Sequence, residues 1–291
     1  MNKSIIKTNN QIIHFPKECF DHKYYPIHFY FFIQYAKIAK INIMYIESTD
    51  KVFVKSDNNS FYFSCLINNK QVIFDYNDLF YRDWVDENPN IKYFKFQSTK
   101  QSSKKVIPLG PPIVSYKNKQ IQTVTIRTYL NIKKSFNYKP GPKILCKQIP
   151  NGGAIERRTH VHDLIQTNFK DYDIEANSNQ VDFWKSHEDS TIAVCVPGAT
   201  NNMIDRGQME LFGLGVCTIS PELHTRLPYD VTPIPGVHYL KCKDDYSDLI
   251  DVIKHAQSNH TLCKSIGNGA RYLFNNNFMP AKYWKWILQN I

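Results

Sequence analysis

No stretch of this chain stays apolar long enough to suggest a membrane span. The most hydrophobic segment, residues 27–46, is interrupted by His28, Gln34, Lys37, Lys40 and Asn42, whereas a spanning helix needs about 20 nearly uninterrupted apolar residues. The first ten residues are polar and lack the apolar run of a secretory leader. Cysteine is sparse and unpaired in pattern. The seven, at 19, 65, 146, 195, 217, 242 and 263, are odd in number and include no CxxC, which argues against both a disulfide framework and a thiolate zinc site. The expectation is a cytoplasmic protein whose cysteines are core residues. Signature loops are missing too: there is no GxxxxGK[ST], GxGxxG, HExxH or GxSxG, so the usual ATPase, dehydrogenase, metalloprotease and serine-hydrolase patterns drop out.

What the chain does have is length, apolar content and lysine. Its 291 residues, 42% hydrophobic and 14% aromatic, suffice for one large folded domain or two ordinary ones. The net charge of +10 is uneven: residues 1–140 carry 21 Lys+Arg against 10 Asp+Glu, and residues 141–291 carry 15 against 16. Between Lys92 and Lys139 stand 11 basic residues and no acidic one, a bias that suits an anionic partner. Tyr93, Phe94, Phe96, Tyr116 and Tyr129 interleave with these charges. A nucleic-acid-binding protein, holding phosphates with lysine and stacking bases on the aromatics, is therefore one reading of the segment. A solvated lysine-rich surface is the other.

Periodicity separates two halves. Residues 12–15 form a short expected strand, residues 27–40 a helix and residues 41–46 another strand. Residues 61–67 and 71–74 flank Asn68-Asn69 as a hairpin. Pro108, Gly110, Pro111 and Pro112 break regular structure, and Pro140-Gly141-Pro142 places a linker at about residues 136–142. Beyond it, strands at 144–149, 192–196, 216–219 and 237–240 alternate with helices at 155–168, 207–214 and 246–257. Such alternation implies a parallel sheet with its ligand site beyond the carboxyl ends of the strands.

The stretch from Val196 to Ser220 holds the most informative residues. An apolar strand empties into Pro197-Gly198, a polar loop follows, and a helix carrying Arg206 and Glu210 ends at Gly213 and Gly215. Arg206 and Glu210 are four apart, on one helical face. Gly152-Gly153, followed by Glu156-Arg157-Arg158, marks an earlier strand-to-helix turn. Two arginines at a helix start oppose the helix dipole, which suits a bound anion there.

With the order Arg206, Pro235-Gly-Val-His-Tyr-Leu240, residues 244–253, Ala270-Arg271 and Tyr283-Trp284, the last hundred or so residues resemble the protein O-glucosyltransferase and capsule-associated xylosyltransferase-like group of GT-B glycosyltransferases. The resemblance implies an α/β protein of two Rossmann-like domains facing a central cleft. Residues 1–140 would form the acceptor domain, and residues 141–291 the donor domain with its terminal helix packing back across the cleft. It implies sugar transfer from a nucleotide-sugar donor, UDP-linked, with no cofactor and no metal. The acceptor would be a glycan, protein or other hydroxyl-bearing molecule, with an anionic acceptor or a membrane surface suiting the basic half. Arg206 would hold phosphate, since a guanidinium fork matches its oxygens. Glu210 would accept from ribose hydroxyls. Gly198 would let backbone approach the donor, and Gly152, Gly153, Arg157 and Arg158 would complete the phosphate site. Catalysis in this class needs a base on the acceptor side. Asp75, at the end of an apolar strand, is the preferred candidate and His14 the second. The first half shows no motif of the family, which leaves the stereochemistry open and keeps a transferase-like binding protein as an alternative. Asp171-Tyr172-Asp173 has the DxD form of a metal-bound donor site, but it does not follow an apolar strand.

Overall fold

The computed structural model describes residues 11–20, 26–57, 60–76, 88, 90–102, 104–113, 125–175, 179–198 and 200–291. Among these residues it is a mixed α/β structure with two sheets. The chain divides into two compact units: Met1–Ile126 together with Met279–Ile291, and Arg127–Phe278. Among the described residues, no helix is long and apolar enough to cross a membrane.

The first unit is built on β1 (Ile12–Pro16), α1 (Pro26–Ile38), β2 (Asn42–Ile46), β3 (Phe53–Asp57), β4 (Ser60–Ile67), β5 (Lys70–Asp75), β6 (Lys92–Lys95) and β7 (Val106–Pro108). The sheet order is β2-β1-β4-β5-β6-β7, with β3 also on β4. Its outer pairs are parallel, but β4 runs antiparallel to β1, β3 and β5. A wholly parallel first domain is therefore not what forms. The reason is local: Asn68 and Asn69, at φ 52° and 64°, make the tight turn that reverses the chain between β4 and β5.

The core of this unit is aromatic. Phe32 lies 4.6 Å from Phe74, 5.2 Å from Phe63 and 4.9 Å from Trp284, ring centroid to centroid. Trp284 and Tyr283 belong to the terminal helix, Pro280–Gln289, which we label α8 below. Their burial against α1 explains why residues 279–291 join the first unit and not the second, in which the domain division expected from the sequence, 141–291, includes them. Trp286 Nε1 adds a hydrogen bond to the Pro108 carbonyl at 2.9 Å.

The second unit contains all but the first residue of α2 (Ile126–Ser135), then β8 (Lys139–Leu145), α3 (Ile155–Asn168), β9 (Tyr172–Asp173), α4 (Gln180–Lys185), β10 (Asp189–Val194), α5 (Arg206–Leu214), β11 (Thr218–Ser220), β12 (Leu240–Lys241), α6 (Leu249–Ser258) and α7 (His260–Asn277); α8 follows in the chain and belongs to the first unit. All pairings in its five-stranded sheet, order β12-β11-β10-β8-β9, are parallel. The expected linker at residues 136–142 is not a linker. Pro140-Gly141-Pro142 lies within β8, where the register against β10 is irregular, as prolines require in a paired strand. The boundary falls earlier, between Ile126 and Arg127.

Chain order across this sheet reads 2-1-3-4-5. The path from β8 through α3 to β9 runs one way along the sheet, and that from β10 through α5 to β11 runs the other. Right-handed crossovers then put α3 and α5 on opposite faces. Consistent with this, α6 packs beside α3 and α7 beside α5.

Candidate functional site

The strand order reverses between β8 and β10, and open parallel sheets bind ligands beyond the carboxyl ends of the strands at such a point. Two loops meet there, residues 146–154 after β8 and residues 195–198 with 200–205 after β10. Gly152, at φ 52°, starts a single 3-10 turn (Gly152–Ala154) that feeds directly into α3. Gly152 and Gly153 are both exposed. A Cβ added to Gly198 would meet nothing within 4 Å, so the protein's own packing does not demand glycine there.

Arginine side chains tie the two loops together. Arg157 donates through Nη2 to the Gly198 carbonyl. Arg158 is 8% exposed and fully engaged. Its Nη1 donates to the Ile149 carbonyl at 2.8 Å and to Asn151 Oδ1 at 3.1 Å, while Nη2 reaches the Val196 carbonyl at 3.3 Å and Asp205 Oδ2 at 3.6 Å. Arg158 is thus a fixed strut between loops rather than a free ligand group, a correction to its expected role. The unfavourable dipole at the start of α3 is offset by carbonyl and carboxylate oxygens, not by a required external anion.

Asp205 caps α5, its Oδ1 accepting from the Gln208 amide at 2.8 Å, and it also receives Arg158 and Gln148. An Asp directly before a helix reads as a cap, but no local signal marks Asp205 as the meeting point of Arg158 and Gln148. Gln148, which bridges Asp205 and the Val196 amide, carried no sequence signal. Arg206 opens α5 next to this junction with 39% of its side chain exposed. The guanidinium groups of Arg157 and Arg158 therefore meet at this strand-end junction, and Arg206 follows directly on Asp205, its Nε 3.8 Å from Glu210.

Glu210 lies elsewhere than expected. Its carboxylate is fully buried, with one oxygen accepting from Trp184 Nε1 at 2.9 Å and from Gln180 Nε2, and the other 3.8 Å from Arg206 Nε. A group enclosed by α4 cannot accept from a ribose in solution, so Glu210 holds α4 against α5. Glu210→Ala is expected to lower unfolding stability by about 3 kcal/mol, because two buried donors lose a charged acceptor. Glu210→Gln keeps one acceptor oxygen and should lose less. Urea denaturation of both variants checks this ordering; equal stability of all three proteins contradicts it.

Neither candidate base sits at an open edge. Asp75 is fully buried at the end of β5, accepting from Tyr93 Oη and lying 3.4 Å from Lys95 Nζ. Lys95 is itself 3% exposed and is the register partner of Asp75 on β6. The pair is an internal ion pair that no acceptor hydroxyl reaches. His14 lies in the middle of β1, not after it, half-buried between Met44 and Leu66 on the flanking strands.

The remaining sequence candidates also resolve. Asp173, from the DxD-like triplet, is paired with the buried Lys147. His160 is exposed and His162 buried, on different faces of α3; burial lowers the His162 pKa, partly opposed by a hydrogen bond with the Cys146 backbone. Of the aromatics proposed as a base-stacking platform, Tyr93, Phe94 and Tyr129 are fully buried and Phe96 is half-buried, while Tyr116 lies outside the described residues. Lys95 and Lys133 are buried as well. Stacking needs exposed ring faces, so this part of the nucleic-acid reading fails. Beyond β12, an open depression of about 480 Å³ is lined by Glu222, Lys241, Lys243, Asp244, Asp245 and Asp248. Asn202 ties it to the β10 loop, donating to Asp244 Oδ1 and to the Glu222 carbonyl, both at 2.9 Å. No family model matches the chain, and no curated protein matches it.

Proposed function

We propose that this chain is a glycosyltransferase of the GT-B kind, that its second unit binds a UDP-linked sugar at the β8/β10 strand ends, and that the sugar passes to a hydroxyl acceptor without a metal. The observation that carries the reading is the pair Arg157 and Arg158 bridging the two loops where the strand order reverses, with Arg206 opening α5 directly after Asp205, the residue Arg158 meets. In such a site Arg206 and the amino end of α5 neutralise the charge that develops on the departing diphosphate. Arg158 acts one step back, holding the loops that present Arg157 and Gly198. The role expected of Glu210 toward ribose drops out, since its carboxylate is enclosed. The lysine excess of residues 1–140 suits an anionic acceptor.

One observation favours a second reading, nucleotide-sugar binding without transfer: Asp75 is sealed in an ion pair and His14 lies in mid-strand. A thermal-shift screen against UDP-, GDP-, ADP- and CMP-sugars tests both, since a ligand selective for the folded state raises the melting temperature by mass action. We expect a UDP-sugar to raise it most. A matching UDP-release assay separates the two readings, with release expected for a transferase and none for a binding protein. A flat response to every donor contradicts both.

A further inference from the structure

The Pro235-Gly-Val-His-Tyr239 run leads into β12 and is closed by its own hydrogen bonds. Ile234 and His238 bond to each other twice. His238 N donates to the Ile234 carbonyl at 2.9 Å, and Ile234 N donates to His238 Nδ1 at 2.8 Å. Gly236, at φ 74°, permits the turn between them, and its amide donates to the Tyr239 carbonyl at 2.8 Å. Two further contacts pin this segment within the second unit. A Cβ at Gly269 on α7 would collide with the Val237 carbonyl, and Tyr239 Oη accepts from the Leu223 amide at 2.8 Å.

The bond from Ile234 fixes the chemistry of the ring. A backbone N–H can only donate, so Nδ1 must offer its lone pair and the single imidazole proton must sit on Nε2. Protonation at Nδ1 sets N–H against N–H across 2.8 Å, so the bond survives only while the ring is neutral. His238 is 8% exposed, and burial lowers its pKa. Through the contacts above, the segment meets α7 and the loop after β11. The charged and titratable groups there that lie nearest along the chain are Arg271 and Tyr272 on α7, and Glu222 and His224 on the loop. None of them, nor Lys241 on β12, takes part in the shift, which burial alone causes. No carboxylate therefore compensates a charged ring, and charging it costs the Ile234 bond.

We propose that His238 is a proton-operated latch: uptake of a proton at Nδ1 breaks the bond from Ile234 N and frees residues 234–239, loosening the lead into β12. The consequence travels through bonded contacts. β12 runs on into Cys242, whose amide donates to the Ser220 carbonyl at 3.0 Å, and into Asp244, which receives Asn202 of the loop after β10. A loosened β12 weakens its hold on that loop. Because the folded ring has the lower pKa, the latch is closed above the ordinary histidine value of about 6.5 and opens as pH falls through the folded value. The latch is independent of the nucleotide-sugar reading, since it belongs to the fold of the second unit whatever that unit binds.

Amide exchange of Ile234 and the nitrogen shifts of the His238 ring are followed by NMR as the pH is lowered from about 7.5, in the parent, His238→Asn and His238→Phe. Asparagine brings an acceptor oxygen close to the position of Nδ1 and does not titrate, whereas phenylalanine has no acceptor. In the parent we expect an unprotonated Nδ1 near neutrality. The Ile234 protection factor should then fall about tenfold, the size of one lost hydrogen bond, with the midpoint of the His238 titration. His238→Asn should keep its protection through that range, and His238→Phe should lack it throughout. A parent ring protonated on Nδ1 near neutrality, or an Ile234 amide still protected once His238 is charged, overturns the proposal. Both results come from the parent alone, so a variant that fails to fold leaves the test intact. Parent-like protection in His238→Phe, equal acid loss in His238→Asn, or unfolding of the whole chain before His238 takes up its proton overturns it too.

Discussion

Arg158→Met is expected to lower the stability of the second unit by about 3–5 kcal/mol, the range for removing one partner of a buried charged network. Methionine keeps the apolar stem but abandons the carbonyls of Ile149 and Val196, the Asn151 amide oxygen and the Asp205 carboxylate. Because these acceptors belong to two different loops, the loss is not confined to one. Amide hydrogen exchange should accelerate in residues 146–158 and 195–205 together, and nucleotide binding should fail with them. Acceleration limited to the α3 turn, with the β10 loop still protected, would mean that Arg158 does not join the loops. Unchanged urea unfolding would contradict the strut altogether.

Asp75→Asn should be of similar size and of different consequence. The neutral amide leaves Lys95 charged at 3% exposure, 3.4 Å from a group that no longer carries a charge. Breaking such a pair from one side costs about 3–5 kcal/mol. The double variant Asp75→Asn with Lys95→Met removes both charges and should recover much of the loss. Nucleotide affinity, measured below the unfolding transition, should match the parent, since Asp75 belongs to the first unit and Arg157, Arg158 and Arg206 to the second. A fully stable Asp75→Asn protein that has lost sugar transfer would restore Asp75 as the base.

How much of this was legible in the sequence depended on whether the deciding partner was near in the chain. Helix α3 was readable from end to end, because Gly152-Gly153 and the apolar spacing after it are local signals. The Asn68-Asn69 hairpin was readable for the same reason. Helix α7 was not. Its sequence holds two glycines and ends in three asparagines, poor helix formers, and it forms because Gly267 lets its backbone approach Gly215 where any Cβ would collide. The Pro-Gly-Pro of residues 140–142 gave the opposite error, a break signal that the strand accommodates as a register irregularity, pairing with β10 on either side of it at Lys139 and Lys143.

The site followed the same rule. The i,i+4 relation of Arg206 and Glu210 was visible, and so was the glycine-bearing loop before them. That Glu210 turns inward depends on Gln180 and Trp184, some 26 to 30 residues earlier in the chain. Asp75 does end an apolar strand, but its fate is set by Tyr93 and Lys95 on the neighbouring strand, and nothing local announces that pairing.

Titration of UDP into the parent protein and into Arg206→Ala, by calorimetry at low salt, addresses the nucleotide site most directly. Arg206 is exposed at the start of α5 and only 3.8 Å from one carboxylate, so its removal should leave the fold intact. Loss of a charged hydrogen bond to phosphate is worth about 2–3 kcal/mol, which is about 30- to 150-fold in Kd. We expect the parent to bind UDP and the variant to bind it weaker by that factor, with a melting temperature lowered modestly because the buried Glu210 carboxylate loses a nearby cation. Equal affinity in the two proteins, or no binding by the parent, would contradict a nucleotide-sugar site at the β8/β10 strand ends.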